Sequence, residues 1–177
     1  MQIIYRSLRI GKAATPFYLY KICTMTKDGG SPTASINDPR LTKWGKWLRK
    51  YKIDEIPTLV NLIRGDIAIV GPRPDTIEEI QTLDDITRNL IYKVKPGIIS
   101  PATLWNYKED AILADKEDPH KYYCKMIKPV KYYLNTWYIK NKTPYLDFKI
   151  FFAYCLKLIR LPYLWLNIYP KGFYGRI

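Results

Sequence analysis

The chain has few of the residues on which metal centres and disulfide scaffolds depend. Its one histidine, His120, lies in a stretch typical of a loop, so we expect a solvated side chain rather than a ligand or a base. Its three cysteines, Cys23, Cys124 and Cys155, are too scattered for an even disulfide framework or for the close pairs of a zinc site. This cysteine pattern indicates a reducing, cytosol-facing environment.

Acidic residues are also scarce, with 16 Asp and Glu against 29 Lys and Arg. The acids concentrate between Asp75 and Glu117. After His120 the sequence contains only one acid, Asp147. A basic excess favours an anionic partner, whether nucleic acid, an acidic membrane surface or a phosphorylated substrate. The charge alone does not choose among these three classes.

Long apolar runs are absent from the sequence. No uncharged run approaches the roughly 20 residues needed to cross a bilayer, and no signal peptide is visible. A membrane contact would therefore run along the surface, or a spanning segment would precede Met1. The length of 177 residues and the hydrophobic content of 47% are ample for one buried core, so we expect one domain.

Strand signals are few and local. Residues 3–7 and 17–25 are rich in β-branched and aromatic types and flank a turn-forming segment at 11–16, which predicts a β-hairpin. A short buried strand is predicted at 67–70. It leads directly into a loop that two prolines stiffen, and these prolines restrict the direction in which Arg73 points.

Five stretches have helical periodicity. The first is basic and should begin after Asn37 or Asp38. The second should begin at the Asp54-Glu55 pair and end at a cap on Gly65. Its apolar face is formed by Ile56, Leu59, Val60 and Ile63. The other helical patterns cover 76–93, 110–138 and 148–159.

The last helical pattern carries an apolar stripe and precedes an aromatic tail. The stripe consists of Phe148, Phe151, Phe152, Cys155, Leu156 and Ile159. The other side consists of Lys149, Ala153, Lys157 and Arg160. A helix of this kind suits a membrane interface, and so does the composition of residues 161–177. The alternative is that this tail packs onto the domain's own core.

The strongest candidate chemistry is an acid pair at a predicted helix start. Free backbone N–H groups and the helix dipole favour a bound phosphate there and keep Asp54 ionised as a nucleophile. Attack of a carboxylate on a phosphate needs cations that neutralise the phosphoryl oxygens. The guanidinium groups of Arg49 and Arg73 are suitable, because each can bind two oxygens at once. Mg²⁺ commonly takes one or two carboxylates plus substrate phosphates, and Glu55 is the nearest candidate ligand.

Three segments, in their order and spacing, resemble the core signature of the bacterial sugar transferase family, the monotopic phosphoglycosyl transferases. They are Ile53-Asp54-Glu55-Ile56-Pro57, Asn61-Leu62-Ile63-Arg64-Gly65-Asp66 and Val70-Gly71-Pro72-Arg73-Pro74. The likeness extends backwards through Tyr20-Lys21 to Arg9-Ile10-Gly11-Lys12. It extends forwards to Asp147-Phe148-Lys149-Ile150, so it covers most of the chain up to about residue 150.

The resemblance implies an enzyme that initiates exopolysaccharide, capsule, lipopolysaccharide O-antigen or glycoconjugate synthesis. Asp54 would attack the sugar-linked phosphorus of a UDP-sugar, release UMP and hold the phosphosugar covalently. Undecaprenyl phosphate would then collect the phosphosugar. Glu55 would take part in catalysis and bind Mg²⁺, while Arg49 and Arg73 would contact substrate phosphates.

The resemblance also implies a compact, helix-rich α+β domain with a small β-hairpin or sheet, lying monotopically on the cytoplasmic face of the bacterial inner membrane. Residues 1–160 would form the catalytic domain and 161–177 the C-terminal tail. Family members carry an N-terminal re-entrant membrane helix, whereas this chain starts at its hairpin, so we expect either that Met1 is an internal start of a longer protein or that the anchor has been lost. The implied partners are a UDP-sugar, undecaprenyl phosphate and the membrane surface, and a homodimer is left open.

Departures from the family pattern keep a second hypothesis open. Cys23 stands where the family usually has Arg, and Thr58 stands where it usually has Gln. The family elements that usually follow Lys95-Pro96-Gly97 are replaced, so sugar and nucleotide contacts in that region do not transfer. The alternative function is a catalytically inactive, membrane-associated scaffold.

A third hypothesis is nucleic-acid binding. Lysines and aromatics along 122–138 are typical of nucleic-acid binders. No recognition motif accompanies them, so we expect no nucleic-acid partner.

Overall fold

The structure, a computed structural model, describes residues 3–26, 35, 37–106, 109–163 and 166–173. In these ranges short helices dominate, and two two-stranded sheets accompany them. The predicted helix-rich α+β class with a small β element is therefore confirmed. None of the helices in these ranges combines the length and the apolar character of a membrane span.

The predicted β-hairpin is present. Strands β1 (Ile4–Ile10) and β2 (Pro16–Ile22) pair antiparallel, and a 3-10 turn (Lys12–Ala14) joins them. β2 ends before the predicted limit at residue 25, and Met25 instead forms an isolated bridge with Leu41. The hairpin thus leaves one edge of β2 for contacts with later elements.

Helix α1 (Lys43–Lys50) begins later than predicted, so the expected helix start next to Asp38 is wrong. Thr42 caps α1 by accepting a hydrogen bond from Gly45 N at 2.8 Å. Asp38 instead accepts bonds from the backbone N and the Nε of Arg40, each at 2.9 Å. A carboxylate engaged in such a local turn is not available to cap a helix.

Helix α2 (Thr58–Arg64) also begins later than predicted. The Asp-Glu pair lies in a separate 3-10 turn (Ile53–Glu55), which Lys52 precedes in the left-handed conformation with φ of 57°. A left-handed residue reverses the chain direction and cannot continue α1. Gly65, with φ of 77°, ends α2, so the predicted cap is confirmed.

The second sheet pairs β3 (Ala68–Val70) with β4 (Gly97–Ile99) in parallel, which confirms the predicted strand at 67–70. The helix predicted over 76–93 is divided, because Asp84 caps a new helix with a 2.9 Å bond to a backbone N–H of its first turn. The two helices are α3 (Ile77–Gln81) and α4 (Asp85–Ile91).

The remaining helices follow β4. They are α5 (Pro101–Trp105), α6 (Glu109–Ala114), α7 (Pro119–Tyr122), a π-helical turn (Tyr123–Ile127), α8 (Lys128–Lys140) and α9 (Pro144–Leu158). The stretch 110–138 is largely helical, as predicted. The hydroxyl of Tyr138 lies 2.6 Å from Asp147 Oδ1 and 3.2 Å from Val70 O, and so joins α8, α9 and β3.

The main core lies between the second sheet and the C-terminal helices. It contains Val70, Ile99, Leu104, Tyr138, Leu146, Ile150, Ala153, Leu166 and Ile168. Phe148, Phe151, Phe152 and Ile159 of the predicted apolar stripe of α9 are exposed, but Leu156 of the same stripe packs against the core. The other side packs inward through Ala153 and a 2.8 Å bond from Lys157 Nζ to Leu104 O. Because Leu166 and Ile168 are buried, this described part of the tail packs onto the core, as the alternative interpretation proposed.

Candidate active site

The Asp-Glu turn places Asp54 between α1 and α2. Asp54 is 8% exposed, and its Oδ1 atom is buried and accepts no hydrogen bond from the described residues. Burial and the adjacent charge of Glu55 raise the pKa of Asp54, while Lys21, Arg49 and Lys52 oppose that shift. The direction is opposite to the helix-start expectation, because Asp54 is buried in a turn that precedes the helix.

Glu55 lies between two cations. Its Oε1 atom is 2.8 Å from Lys21 Nζ and 2.5 Å from Arg73 Nη2. Burial raises the pKa of Glu55, but the charges of Arg73 and Lys21 outweigh it and hold the pKa well below its usual range. Glu55 is therefore ionised at neutral pH and fixed in orientation by both partners.

Lys21 is the site residue to which the sequence prediction assigned no role. It extends from β2, and burial together with the charge of Arg73 lowers its pKa to about 8, although Glu55 opposes that change. The sequence feature that could have identified Lys21 is its position as a single lysine inside the otherwise apolar and aromatic strand Pro16–Ile22. A lysine in such a strand is buried only where a charged partner meets it.

Arg73 is positioned by the loop that follows β3. Gly97 N donates to Pro72 O at 2.7 Å, and Gly71 N donates to Ile99 O at 2.9 Å. These bonds hold both sides of the loop against β4, and the flanking prolines restrict its backbone further. The predicted rigid loop therefore delivers the Arg73 guanidinium to Glu55.

Arg49 lies on the other side of the acid pair. Its Nε donates to Thr24 Oγ1 at 3.1 Å, and its Nη2 lies 3.2 Å from Met25 Sδ. Its positive charge counteracts the rise in the pKa of Asp54. Arg49 therefore lies within electrostatic range of Asp54, while Arg73 directly contacts Glu55.

The predicted residues form one region rather than one cavity. A shallow depression is lined by Leu19, Lys21, Glu55, Thr58, Arg73 and Ile98, among others. Asp54 and Arg49 do not line it. Lys21 connects the two halves, because its charge acts on Asp54 and its Nζ bonds to Glu55.

Asp75 extends this charged region beyond Arg73. Its backbone O accepts a bond from Ile10 N at 3.2 Å, which ties the loop to the end of β1. Burial, reinforced by the charge of Glu79, raises the pKa of Asp75 to about 7, against a hydrogen bond from Tyr132 and two nearby cations. Asp75 thus holds a proton in the folded state at a pH where the unfolded chain has released it.

This shift predicts that stability falls as the pH rises from about 4 to about 7, by at most about 1.4 kcal/mol per pH unit from this group. The sign follows because the folded state binds the extra proton across that window. Asp75→Asn should remove this contribution in equilibrium urea unfolding measured at several pH values. Asp85→Asn, whose side chain is 86% exposed, is the matched control and should keep the wild-type pH slope. An identical slope in the Asp75 variant would contradict the assignment.

The acid pair also fits a particular kind of metal site. Within the described ranges, no three His, Cys, Asp or Glu side chains gather as a metal cluster. Asp54 Oδ1 is a buried oxygen without a hydrogen-bond partner there, and the Glu55 carboxylate is adjacent in the chain. Two carboxylates suit Mg²⁺ when substrate phosphates and water supply its other ligands, and they are too few for a site made of protein alone.

Comparison with known proteins identifies the family. Residues 1–160 match the family described as bacterial sugar transferase. The chain belongs to this family. The match includes the hairpin, the Asp-Glu turn, the Arg73 loop and all of α9, so the elements that build the candidate site all lie within it.

Curated relatives of this bacterial sugar transferase include the uncharacterized sugar transferase EpsL of Bacillus subtilis, 34% identical over 84% of this chain and 65% of the relative. The UDP-glucose:undecaprenyl-phosphate glucose-1-phosphate transferase of Klebsiella pneumoniae is 32% identical over 88% of this chain and 32% of its own length. The undecaprenyl-phosphate galactose phosphotransferase of Salmonella typhimurium is 28% identical over 89% of this chain and 33% of its own length. The chain thus spans between about a third and just under two thirds of these relatives.

Proposed function

We propose that this protein transfers a sugar 1-phosphate from a UDP-sugar to undecaprenyl phosphate and releases UMP. The observation that carries the proposal is a buried Asp54 next to a half-buried Glu55, with Lys21, Arg49 and Arg73 around them. The site belongs to a family in which curated relatives carry undecaprenyl-phosphate transferase activities in their names. The product would initiate surface-glycan synthesis.

In the first half of the reaction, an Asp54 carboxylate oxygen attacks the sugar-linked phosphorus. A new P–O bond forms to Asp54, the pyrophosphate bond to UMP breaks, and UMP leaves with the electron pair. Because burial raises the pKa of Asp54, the charges of Lys21 and Arg49 are needed to favour its ionised form. These cations also offset the repulsion between the carboxylate and the phosphate.

In the second half, a phosphate oxygen of undecaprenyl phosphate attacks the same phosphorus. The bond to Asp54 breaks, which regenerates the carboxylate and yields a polyprenyl diphosphate sugar. Arg73 on its rigid loop is suited to bind phosphoryl oxygens in both half-reactions, since Glu55 already orients its guanidinium group. Preorganised charge of this kind lowers the barrier without further rearrangement.

We propose that Glu55 holds the Mg²⁺ ion. The ion, when bound, would neutralise charge on the phosphate oxygens of the nucleotide sugar. Glu55 is kept ionised by Lys21 and Arg73, and a ligand for a divalent cation needs that state. Lys21 and Arg73 would keep the carboxylate oriented while the substrate phosphates approach.

The direct test supplies detergent-solubilised protein with UDP-sugars, Mg²⁺ and undecaprenyl phosphate. We expect release of UMP and formation of a lipid-linked phosphosugar, both followed by chromatography and mass spectrometry. No release with any UDP-sugar tried, from protein shown to be folded, would favour the inactive scaffold instead.

We also propose that the protein lies on the cytoplasmic face of the bacterial inner membrane. Six apolar side chains of α1, α2 and the segment between them are 43–86% exposed, and we name them the apolar face: Trp44, Trp47, Ile56, Leu59, Val60 and Ile63. The exposed lysines of α1, Lys43, Lys46 and Lys50, accompany this apolar face. Apolar side chains next to lysines suit the headgroup zone of an anionic leaflet, and the free cysteines suit a reducing compartment.

Trp44→Ser combined with Trp47→Ser should weaken binding to phosphatidylglycerol-containing vesicles by roughly tenfold or more, because two apolar anchors are lost. Co-sedimentation with vesicles of phosphatidylglycerol and phosphatidylethanolamine provides the measurement. Ile86→Ser on α4 is the control, since Ile86 is 83% exposed but lies outside the apolar face. Equal losses in both variants would argue against this face as the membrane contact.

A further inference from the structure

Asn61 is a fully buried polar side chain on the inner side of α2. Its Oδ1 accepts a hydrogen bond from Tyr20 N at 3.2 Å, and its Nδ2 donates to Tyr18 O at 2.8 Å. Nδ2 also donates to Asp66 Oδ2 at 2.9 Å. Asn61 therefore replaces a neighbouring strand along the edge of β2 that β1 leaves free.

Thr58, one turn earlier on α2, makes a related contact. Its Oγ1 donates to Tyr20 O at 3.0 Å. One further turn towards the N-terminus, Glu55 meets Lys21 at 2.8 Å. Three side chains spaced three residues apart thus contact successive positions of β2, and we name Glu55, Thr58 and Asn61 the β2–α2 ladder.

The ladder explains the unusual orientation of α2. Its apolar residues Leu59, Val60 and Ile63 are exposed, while Thr58 and Asn61 are buried. The edge of β2 carries backbone N–H and C=O groups that need partners once they are buried, and only the polar side of α2 can supply them. The helix is therefore locked to the strand by hydrogen bonds instead of apolar packing.

Asp66 sets the direction of the Asn61 amide. A carboxylate can only accept, so the NH₂ group of Asn61 faces Asp66 and the carbonyl oxygen faces Tyr20 N. A second bond, from Asp66 N to Asn61 O at 3.0 Å, joins the same two residues through the backbone. Asp66 thus keeps the amide in the one orientation that serves β2.

We propose that Asn61 is a positioning residue that acts through Lys21, and this inference rests on the proposed function. By fixing Tyr18 and Tyr20, Asn61 sets where the adjacent Lys21 meets Glu55 and the phosphate site. The effect is on alignment of the reacting groups, because the side chain of Asn61 bonds to the edge of β2 and to Asp66 rather than to Asp54 or Glu55. A displacement of about 1 Å in such a cation is enough to slow a reaction roughly 100-fold.

The test measures the burst of UMP release with UDP-sugar in saturating excess over protein and without undecaprenyl phosphate, so that the amplitude counts active sites and the rate is measured separately. Asn61→Asp removes the donor to Tyr18 and sets two carboxylates against each other, so we expect a rate lowered roughly 10- to 100-fold. Asp66→Asn should lower the rate only modestly, because an amide at position 66 can still accept from Asn61. The double variant should regain part of the rate, since that amide can donate to a carboxylate at position 61, although the donor to Tyr18 O stays absent.

The amplitude distinguishes positioning from folding. A positioning role lowers the rate and keeps the amplitude even where the melting temperature falls, whereas loss of folded protein lowers the amplitude at an unchanged rate and would overturn the inference. If the Asn61 variant does not fold, Thr58→Val against Thr58→Ser decides, with the slower rate expected only for Val. A wild-type rate in the variants would refute the positioning role alone, whereas no UMP release from wild type would refute the proposed function and this inference with it.

Discussion

Asp54→Asn is expected to lower the rate of UMP release by on the order of 10³-fold or more, the size of effect seen when a covalent nucleophile is removed. The amide is nearly the same size as the carboxylate but cannot form the acyl phosphate bond. The assay is UMP release at saturating UDP-sugar, with mass spectrometry of the intact protein for an added phosphosugar. Wild type should carry the added mass on the peptide that contains Asp54, and the variant should not.

The same substitution should leave the fold intact or stabilise it. Asp54 is buried, its Oδ1 has no hydrogen-bond partner among the described residues, and burial raises its pKa. Removing such a charge relieves a desolvation cost, so the melting temperature should be unchanged or higher. Asp85→Asn on the surface controls for the chemical change and should retain wild-type turnover. Full UMP release by the Asp54 variant would refute the nucleophile assignment.

Gly97→Ala is expected to destabilise the protein by about 3 kcal/mol, near the upper end for overpacked sites. A Cβ atom on Gly97 would lie 2.2 Å from Gly71 N and 2.6 Å from Gly71 Cα. Both contacts are with backbone, which no side-chain rotation can relieve. The strands β3 and β4 would have to separate, and the bond from Gly97 N to Pro72 O that supports the Arg73 loop would weaken.

Thermal and urea unfolding measure this effect, and a loss of 3 kcal/mol corresponds to roughly 6 to 12 °C in Tm for a chain of this size. Gly11→Ala is the matched control, since its nearest contacts are 3.2 and 3.3 Å and its φ of −103° is accessible to alanine. We expect a much smaller change there. Similar losses for both glycines would show that the β3–β4 contact is less tight than the geometry indicates.

The elements predicted correctly from sequence are those specified by short stretches. The hairpin, the strand at 67–70 and the Gly65 cap each depend on residue types within a few positions. The candidate site residues could also be identified from the sequence, because an acid pair and two arginines in motif spacing are a feature of the sequence itself. These predictions required no knowledge of which segments meet.

The errors arose where one local signal competed with another. Asp38 is as suitable a cap as Thr42, but its carboxylate is used by Arg40 two residues away. The Asp54-Glu55 pair resembled a helix start, yet a left-handed Lys52 and a 3-10 turn come first. Such choices depend on differences of about 1 kcal/mol, which the neighbouring structure decides.

By itself, the sequence determined the family, the helix-rich α+β class and the identity of the candidate acids, because these follow from motifs and periodicity along the chain. Only the tertiary structure decided that Lys21 meets Glu55 and that α2 turns its polar side inward to complete the edge of β2. The physical reason is that buried backbone groups and charges need partners from distant parts of the chain. The periodicity of the sequence does not indicate which distant residue becomes that partner.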